Sequence, residues 1–288
     1  MCVLMLHRSR TRTLVTLAAL GMLLAACGSD ANSAATTTAA PVATDAPTTT
    51  AAPTTEAPTT VPSATGSIVV FAASSLTDAF KAVGDAFTAK NPDAKVTFNF
   101  AGSSDLVTQI ANGAPADVFV SADESNMKKV TDAGNNAGDP VIIARNSFEI
   151  IVGKGNPKGI TGLADLAKPG NIVVLCAEAV PCGKGAATIL KNAGITLTPK
   201  SLEDKVKGVV TKVTTGEADA GIVFVTDVKA AGGNAAGVEI PDAQNVISKY
   251  PIVVTKEATN AATAKAFIDF VDSADGQAIL AKFGFLAP

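Results

Sequence analysis

Two short stretches of nearly the same composition, Phe71-Ala72-Ala73-Ser74-Ser75 and Phe100-Ala101-Gly102-Ser103-Ser104, restrict the architectures open to this chain. Each closes a β-like run (residues 68–71 and 96–100) and opens a helix-like one (residues 76–87 and 106–110). A strand that passes through small residues straight into a helix puts serine hydroxyls and unpaired amides at a helix N-terminus, beside strand C-terminal ends. Neutral donors so placed can hold an anion. Taken singly, such a turn reads as ordinary N-capping, with Ser75 and Asp78 as a capping-box-like pair. Two of them in one half of a chain point to a site.

Strand-like and helix-like runs alternate through the rest of the chain. Residues 67–73, 95–101 and 117–121 read as strands, and 76–90 and 104–112 as helices. A long β-like stretch over 140–152 is interrupted by Arg145-Asn146-Ser147. A second set follows, with strands at 172–175, 220–225 and 250–255 and helices at 183–193, 205–214, 258–271 and 277–283. Alternation of this kind predicts an α/β fold of parallel sheets with crossover helices. Two such sets joined by two β-like links predict two lobes crossed twice by the backbone. Lobe 1 would take about residues 67–144 and 252–288, and lobe 2 about 145–251, with the ligand in the cleft between.

The N-terminal residues lie outside that plan. Residues 1–27 read as a lipoprotein export signal. Arg8, Arg10 and Arg12 precede an apolar run over 14–24, and Leu24-Ala25-Ala26-Cys27 resembles the bacterial lipobox. The run is well under the ~20 residues a spanning helix needs. Cys27 would then be the lipidated first residue, anchoring the protein to the outer face of the cell membrane. Residues 28–66 are Thr, Ala and Pro with almost no large apolar side chain, a composition that cannot offset its ordering entropy and predicts a disordered tether. Residues 67–288 form the folded domain.

Charge and the rarer residues exclude several classes. Without the three signal arginines, the 23 basic and 26 acidic residues become 20 and 26, a formal net of −6, so a basic nucleic-acid-binding face is not expected. The chain's one histidine, His7, lies in the signal. The processed chain thus has no imidazole for a Ser-His-Asp triad or for common zinc and copper ligation. A hydrolase using Ser75 or Ser103 as nucleophile would also lack a Gly-x-Ser-x-Gly elbow. No catalysis, cofactor or direct metal-cation ligand is expected. A surface adhesin would suit the tether but leaves the serine turns without a purpose. Cys176 and Cys182 remain, and outside the cytoplasm an even pair reads as a disulfide. A metal pair or redox dithiol is the alternative, though a redox motif would be the tighter C-x-x-C.

Four stretches together resemble the molybdate-binding proteins of bacterial ABC transporters, which are type II solute-binding proteins. They begin at Val70-Phe71-Ala72-Ala73-Ser74-Ser75, at Phe100-Ala101-Gly102-Ser103-Ser104 and at Gly113-Ala114-Pro115-Ala116-Asp117, the last continuing to Ser121-Ala122-Asp123. The fourth runs from Gly216-Glu217-Ala218-Asp219 through Phe224 to Thr226-Asp227. Tyr250-Pro251-Ile252 resembles the family's returning crossover. The resemblance implies a monomer of the two-lobed periplasmic-binding-protein type II fold that captures molybdate or tungstate and hands it to a membrane permease. Another tetrahedral oxyanion, sulfate or thiosulfate, is the alternative. It further implies that Ser75 and Ser103 each supply a hydroxyl and an amide, and that Cys182 and Val206 supply amides from lobe 2. The family often has a tyrosine where this chain has Phe224, so either that hydroxyl is dispensable, or a donor such as Thr226 or a water replaces it, or the ligand preference has drifted. A hydrogen bond to a charged group contributes about 1.5–3 kcal/mol. About five to seven such donors exceed the ~8–12 kcal/mol of micromolar to nanomolar binding, before desolvation and lobe closure are met. Molybdate, tungstate and sulfate carry no proton at neutral pH and call for donors only. Hydrogen phosphate also needs an acceptor, for which only Asp78 and Asp105 lie near the turns.

Overall fold

The computed structural model of the protein describes residues 63–288, so the signal, Cys27 and all but the end of the tether lie outside the described residues. The folded body begins earlier than residue 67. Ala64 is buried and its amide donates to Asn91 Oδ1 at 3.0 Å. The Thr65 carbonyl accepts from Asn260 and Thr263.

In chain order, lobe 1 opens with β1 (Gly66–Ala73), α1 (Thr77–Lys90), β2 (Ala94–Ala101), α2 (Ser103–Ala111), β3 (Val118–Val120), α3 (Glu124–Asp132) and β4 (Asn136–Asn146). Lobe 2 follows as β5 (Phe148–Gly153), α4 (Leu163–Leu166), β6 (Val173–Cys176), α5 (Pro181–Asn192), β7 (Ser201–Glu203), α6 (Val206–Thr214), β8 (Ala220–Phe224), α7 (Val225–Ala231) and β9 (Ala235–Glu239). The chain then re-enters lobe 1 as β10 (Ser248–Thr255), α8 (Ala261–Asp272) and α9 (Ala274–Lys282).

Each lobe is built on a five-stranded sheet, ordered β2-β1-β3-β10-β4 in lobe 1 and β7-β6-β8-β5-β9 in lobe 2. β1 is central and buried on both faces, which is why it reads as an unbroken apolar run rather than an alternating one. The sheets are mixed, which corrects the expectation of parallel sheets. β1 pairs in parallel with β2 and β3, but β10 is antiparallel to both β3 and β4, and β5 is antiparallel to β8 and β9. The cause is the double crossing. One strand pair carries the chain out of lobe 1 and the other brings it back, so the neighbours β4 and β10, and β5 and β9, must run in opposite senses.

The crossings are also displaced from the expected limits. β4 stays in the first sheet through Asn146, and only Ser147 separates it from β5. The return joins that sheet at Ser248, whose partner is Asn146. α8 packs its Phe267 edge-on to Phe80 and Phe87 of α1, with centroids 6.2 and 5.3 Å apart. Asp117 is a strut. Its buried carboxylate accepts from the Val69 amide (2.7 Å) and from the Thr259 and Asn260 amides (2.6 and 3.2 Å), fastening the start of α8 to β1.

Candidate functional site

Four helical starts converge between the lobes. Ser75 lies in the single 3-10 turn Ser74–Leu76 that leads into α1, and Ser103 is the first residue of α2. From lobe 2, Cys182 is the second residue of α5, behind Pro181, and Val206 is the first of α6. None of the four starts carries a side-chain cap. By contrast α3, α8 and α9, whose starts do not line this space, are capped by Asp123, Asn260 and Ser273, while the short α4, also away from it, is uncapped. Ser75 therefore does not act as an N-cap. The first-turn amides of a helix need partners, and those without a cap are open to a ligand.

Ser75, Ser103, Cys182, Val206 and Phe224 all line one cavity, together with Ala122, Pro181 and small residues of the two turns. It leaves about 10 Å³ to the centre of a water-sized sphere, about the room one water takes. No charged side chain lines it. Neither Asp78 nor Asp105 reaches it; both sit in the first turns of their helices, where a carboxylate balances the helix dipole. Burial, and next the charge of Asp204, push the Asp105 carboxyl above its ordinary range.

The serine hydroxyls are tied from behind. Ser103 Oγ accepts from the Ala122 amide at 3.1 Å. Ser75 Oγ lies 3.1 Å from the phenolic oxygen of Tyr250 on β10. Tyr250 is fully buried, and that burial drives its hydroxyl well above the ordinary tyrosine range, so it stays protonated. Asn146, at the end of β4, donates to Thr226 Oγ1 at 2.8 Å and to the Tyr250 oxygen at 3.4 Å. Thr226 Oγ1 accepts this bond and Thr226 does not line the cavity. The hydroxyl closest in kind to the one missing at Phe224 belongs to Tyr250, whose ring meets Phe224 edge-on at 5.8 Å. The sequence marked Tyr250 only within a crossover motif and Asn146 only within a break in a β-like stretch, neither as a site residue. The available signal was that Tyr250 is the chain's one tyrosine.

Cys176 and Cys182 are bonded, with Cα atoms 5.7 Å apart, so the Cys182 amide is clamped to the end of β6. Gly183 packs against the same loop, since a Cβ there would fall 2.0 Å from the Ala177 carbonyl oxygen. Across the cleft the lobes touch. A Cβ on Gly102 would meet the Asp204 carbonyl oxygen at 2.2 Å, and Asn126 donates to the Ala179 carbonyl at 3.4 Å. Lys207, next to Val206, spans the gap to Asp78 at 3.2 Å and lies 3.6 Å from Asp227 Oδ1. Asp227 is fully buried and neither oxygen has a hydrogen-bond partner. Burial pushes its carboxyl up to about 6, against the opposing pull of Lys207.

A space between two lobes, lined by hydroxyls and open helix starts from both, fits the class of two-lobed proteins that hold a small solute in the cleft. No group of three or more His, Cys, Asp or Glu that could hold a metal ion occurs among the described residues.

Comparison with known proteins agrees. The family model for bacterial extracellular solute-binding proteins matches residues 68–286, and the chain belongs to that family. It is 46% identical over 222 residues to a molybdate-binding protein of Mycobacterium tuberculosis, covering 77% of this chain and 85% of that one. Its fold resembles the periplasmic molybdate-binding protein of Azotobacter vinelandii (TM-score 0.68, 21% identity, 77% of this chain and 99% of that one). It also resembles the sulfate-binding protein of M. tuberculosis (TM-score 0.67, 22% identity, 76% and 86%). At those identities the two structures speak for the two-lobed fold alone.

Proposed function

We propose that the protein captures molybdate, with tungstate as a near-equivalent, between its two lobes and passes it to the permease of an ABC transporter. The anion would take the hydroxyls and amides of Ser75 and Ser103 and the amides of Cys182 and Val206, with Phe224 packing against it. One observation carries this reading: a space between the lobes bordered by hydroxyls and uncapped helix starts from both and by no charged side chain. Identity of 46% to a molybdate-binding protein supports the choice of anion. The role is binding rather than catalysis, and lobe closure on the anion is the state the permease reads. The protein acts as a monomer outside the cytoplasm, held to the membrane by a lipid on Cys27.

Titration calorimetry with molybdate, tungstate, sulfate and phosphate tests the reading. Molybdate and tungstate are expected to bind at least ~100-fold more tightly than sulfate, about 2.7 kcal/mol. A sulfate affinity equal to or above that of molybdate would assign the protein to sulfate instead.

A further inference from the structure

The two serines differ in what fixes the direction of their protons. The partner of Ser103 Oγ is the Ala122 amide, which can only donate, so the Ser103 proton is turned away from it and into the cavity. The partner of Ser75 Oγ is another hydroxyl, and two hydroxyls can share a bond in either sense. The sense is decided one residue further back. Asn146 Nδ2 has two N–H groups and two partners, Thr226 Oγ1 and the Tyr250 oxygen, while its Oδ1 has none. A half-turn of that amide would strand two buried N–H donors in place of one carbonyl oxygen, the costlier arrangement. With Nδ2 donating to Tyr250, Ser75 Oγ is the acceptor recorded for the phenol's own buried proton, so the phenol donates to Ser75 and the Ser75 proton is left to point into the cavity. Asn146 and Tyr250 are both buried, so water does not supply a competing partner.

We propose that Asn146 and Tyr250 are positioning residues that set the selectivity of the site. Their hydrogen-bond chain locks Ser75 as a donor, so the Ser75 and Ser103 hydroxyls both present hydrogens and disfavour a tetrahedral anion that carries a proton. The proposal rests on the oxyanion reading above. A protonated anion would set its own O–H against an O–H or N–H pointing back at it, leaving a donor unpaired in a water-poor space. Of the two lining serines tied from behind, Ser75 is the one whose hydroxyl could turn a lone pair inward to relieve that clash, and the chain behind it prevents the turn. Thr226 belongs to lobe 2 and Asn146 to the end of a lobe 1 strand, so the amide is pinned across the junction of the lobes.

Sulfate and hydrogen phosphate have the same charge and nearly the same shape and differ by one proton, so the ratio of their affinities isolates the proton from cavity size. The experiment measures both at pH 8 by calorimetry, in competition with molybdate where binding is weak. Wild-type protein is expected to hold hydrogen phosphate about 10- to 100-fold more weakly than sulfate. Tyr250→Phe frees the Ser75 hydroxyl to rotate, and Asn146→Asp makes the phenol donate backwards to a carboxylate, reversing the chain. Each is expected to raise the phosphate-to-sulfate affinity ratio by about tenfold. Phe285→Leu, which alters only the ring packed on Tyr250 at 5.3 Å, is expected to leave the ratio within about twofold of wild type, so that packing damage is told apart from loss of the chain. Folded Tyr250→Phe protein with the wild-type ratio would overturn the proposal, as would a wild type that binds hydrogen phosphate as tightly as sulfate. A wild type that binds none of these anions would overturn the oxyanion reading itself, a result distinct from molybdate binding with an unmoved ratio.

Discussion

Lys207→Met should destabilise this protein at pH 8 and hardly at all at pH 4.5. Asp227 is buried without a hydrogen bond to either oxygen, and the Lys207 ammonium 3.6 Å away is the counter-charge the structure gives it. Because burial raises its carboxyl to about 6, the folded protein binds that proton more tightly than the unfolded chain does. The group's contribution to stability is therefore whole below the ordinary carboxylate value of ~3.9 and is lost as pH rises through about 6. The gap between the two values corresponds to roughly 3 kcal/mol. Removing Lys207 takes away the pull that opposes desolvation, so the folded value climbs and the loss continues to higher pH. Breaking a buried pair by deleting one partner costs about 3–5 kcal/mol where the survivor stays charged. The outer pair of Lys207 with Asp78 is partly exposed and contributes at most ~1 kcal/mol. Urea unfolding of wild type and variant at both pH values measures the difference. The expectation is a loss of about 3 kcal/mol at pH 8, near zero at pH 4.5, and recovery in the double variant with Asp227→Asn. An equal loss at both pH values, or no recovery, would refute the electrostatic argument.

Three further outcomes follow from the site. Gly102→Ala places a Cβ 2.2 Å from the Asp204 carbonyl oxygen, so it should hold the lobes apart and weaken molybdate at least ~100-fold while leaving the melting temperature of ligand-free protein within a few degrees. Unchanged affinity by calorimetry would mean that the lobes do not need to meet there. Ser103→Ala removes a charge-assisted hydrogen bond and leaves the Ala122 amide without its acceptor, so molybdate should bind about 10- to 150-fold more weakly. Reduction of the Cys176–Cys182 bond should lower stability by about 2 kcal/mol, as expected for so short a loop, and weaken binding by loosening the Cys182 amide. Reduced protein with unchanged affinity and unchanged melting temperature would rule out that role.

The parts of the fold that lay open in the sequence are those encoded over short distances. β1, β2, α1 and α2 announce themselves through apolar runs and small-residue turns, and the turns mark the lobe 1 half of the site. α3 was not anticipated because Glu124–Asp132 offers only Met127 and Val130 as buried apolar residues, too few to set a helical period. Its better signal was the cap, Asp123 accepting from the Asn126 amide. β7 and β9 are short edge strands of three and five residues with little burial, so their pattern resembles loop. The antiparallel returns were hidden for another reason. Strand direction is fixed by which neighbours pair, and β10 pairs with strands more than a hundred residues away. The place of Tyr250 behind the site was hidden in the same way, since its bond to Ser75 joins residues 175 apart in the chain.

The position of β10 between β3 and β4 also constrains how the molecule assembles. β4 pairs with β10 and, through an isolated bridge at Arg145, with Leu286, so the lobe 1 sheet stays split until residues 248–255 arrive. Every strand of lobe 2 lies in the unbroken stretch 148–239 and needs nothing from the later chain to pair. A polypeptide emerging from its N-terminus can therefore complete the inserted lobe first and the enclosing one last. Until then β3 presents an unpaired edge, the surface on which misassembly would start.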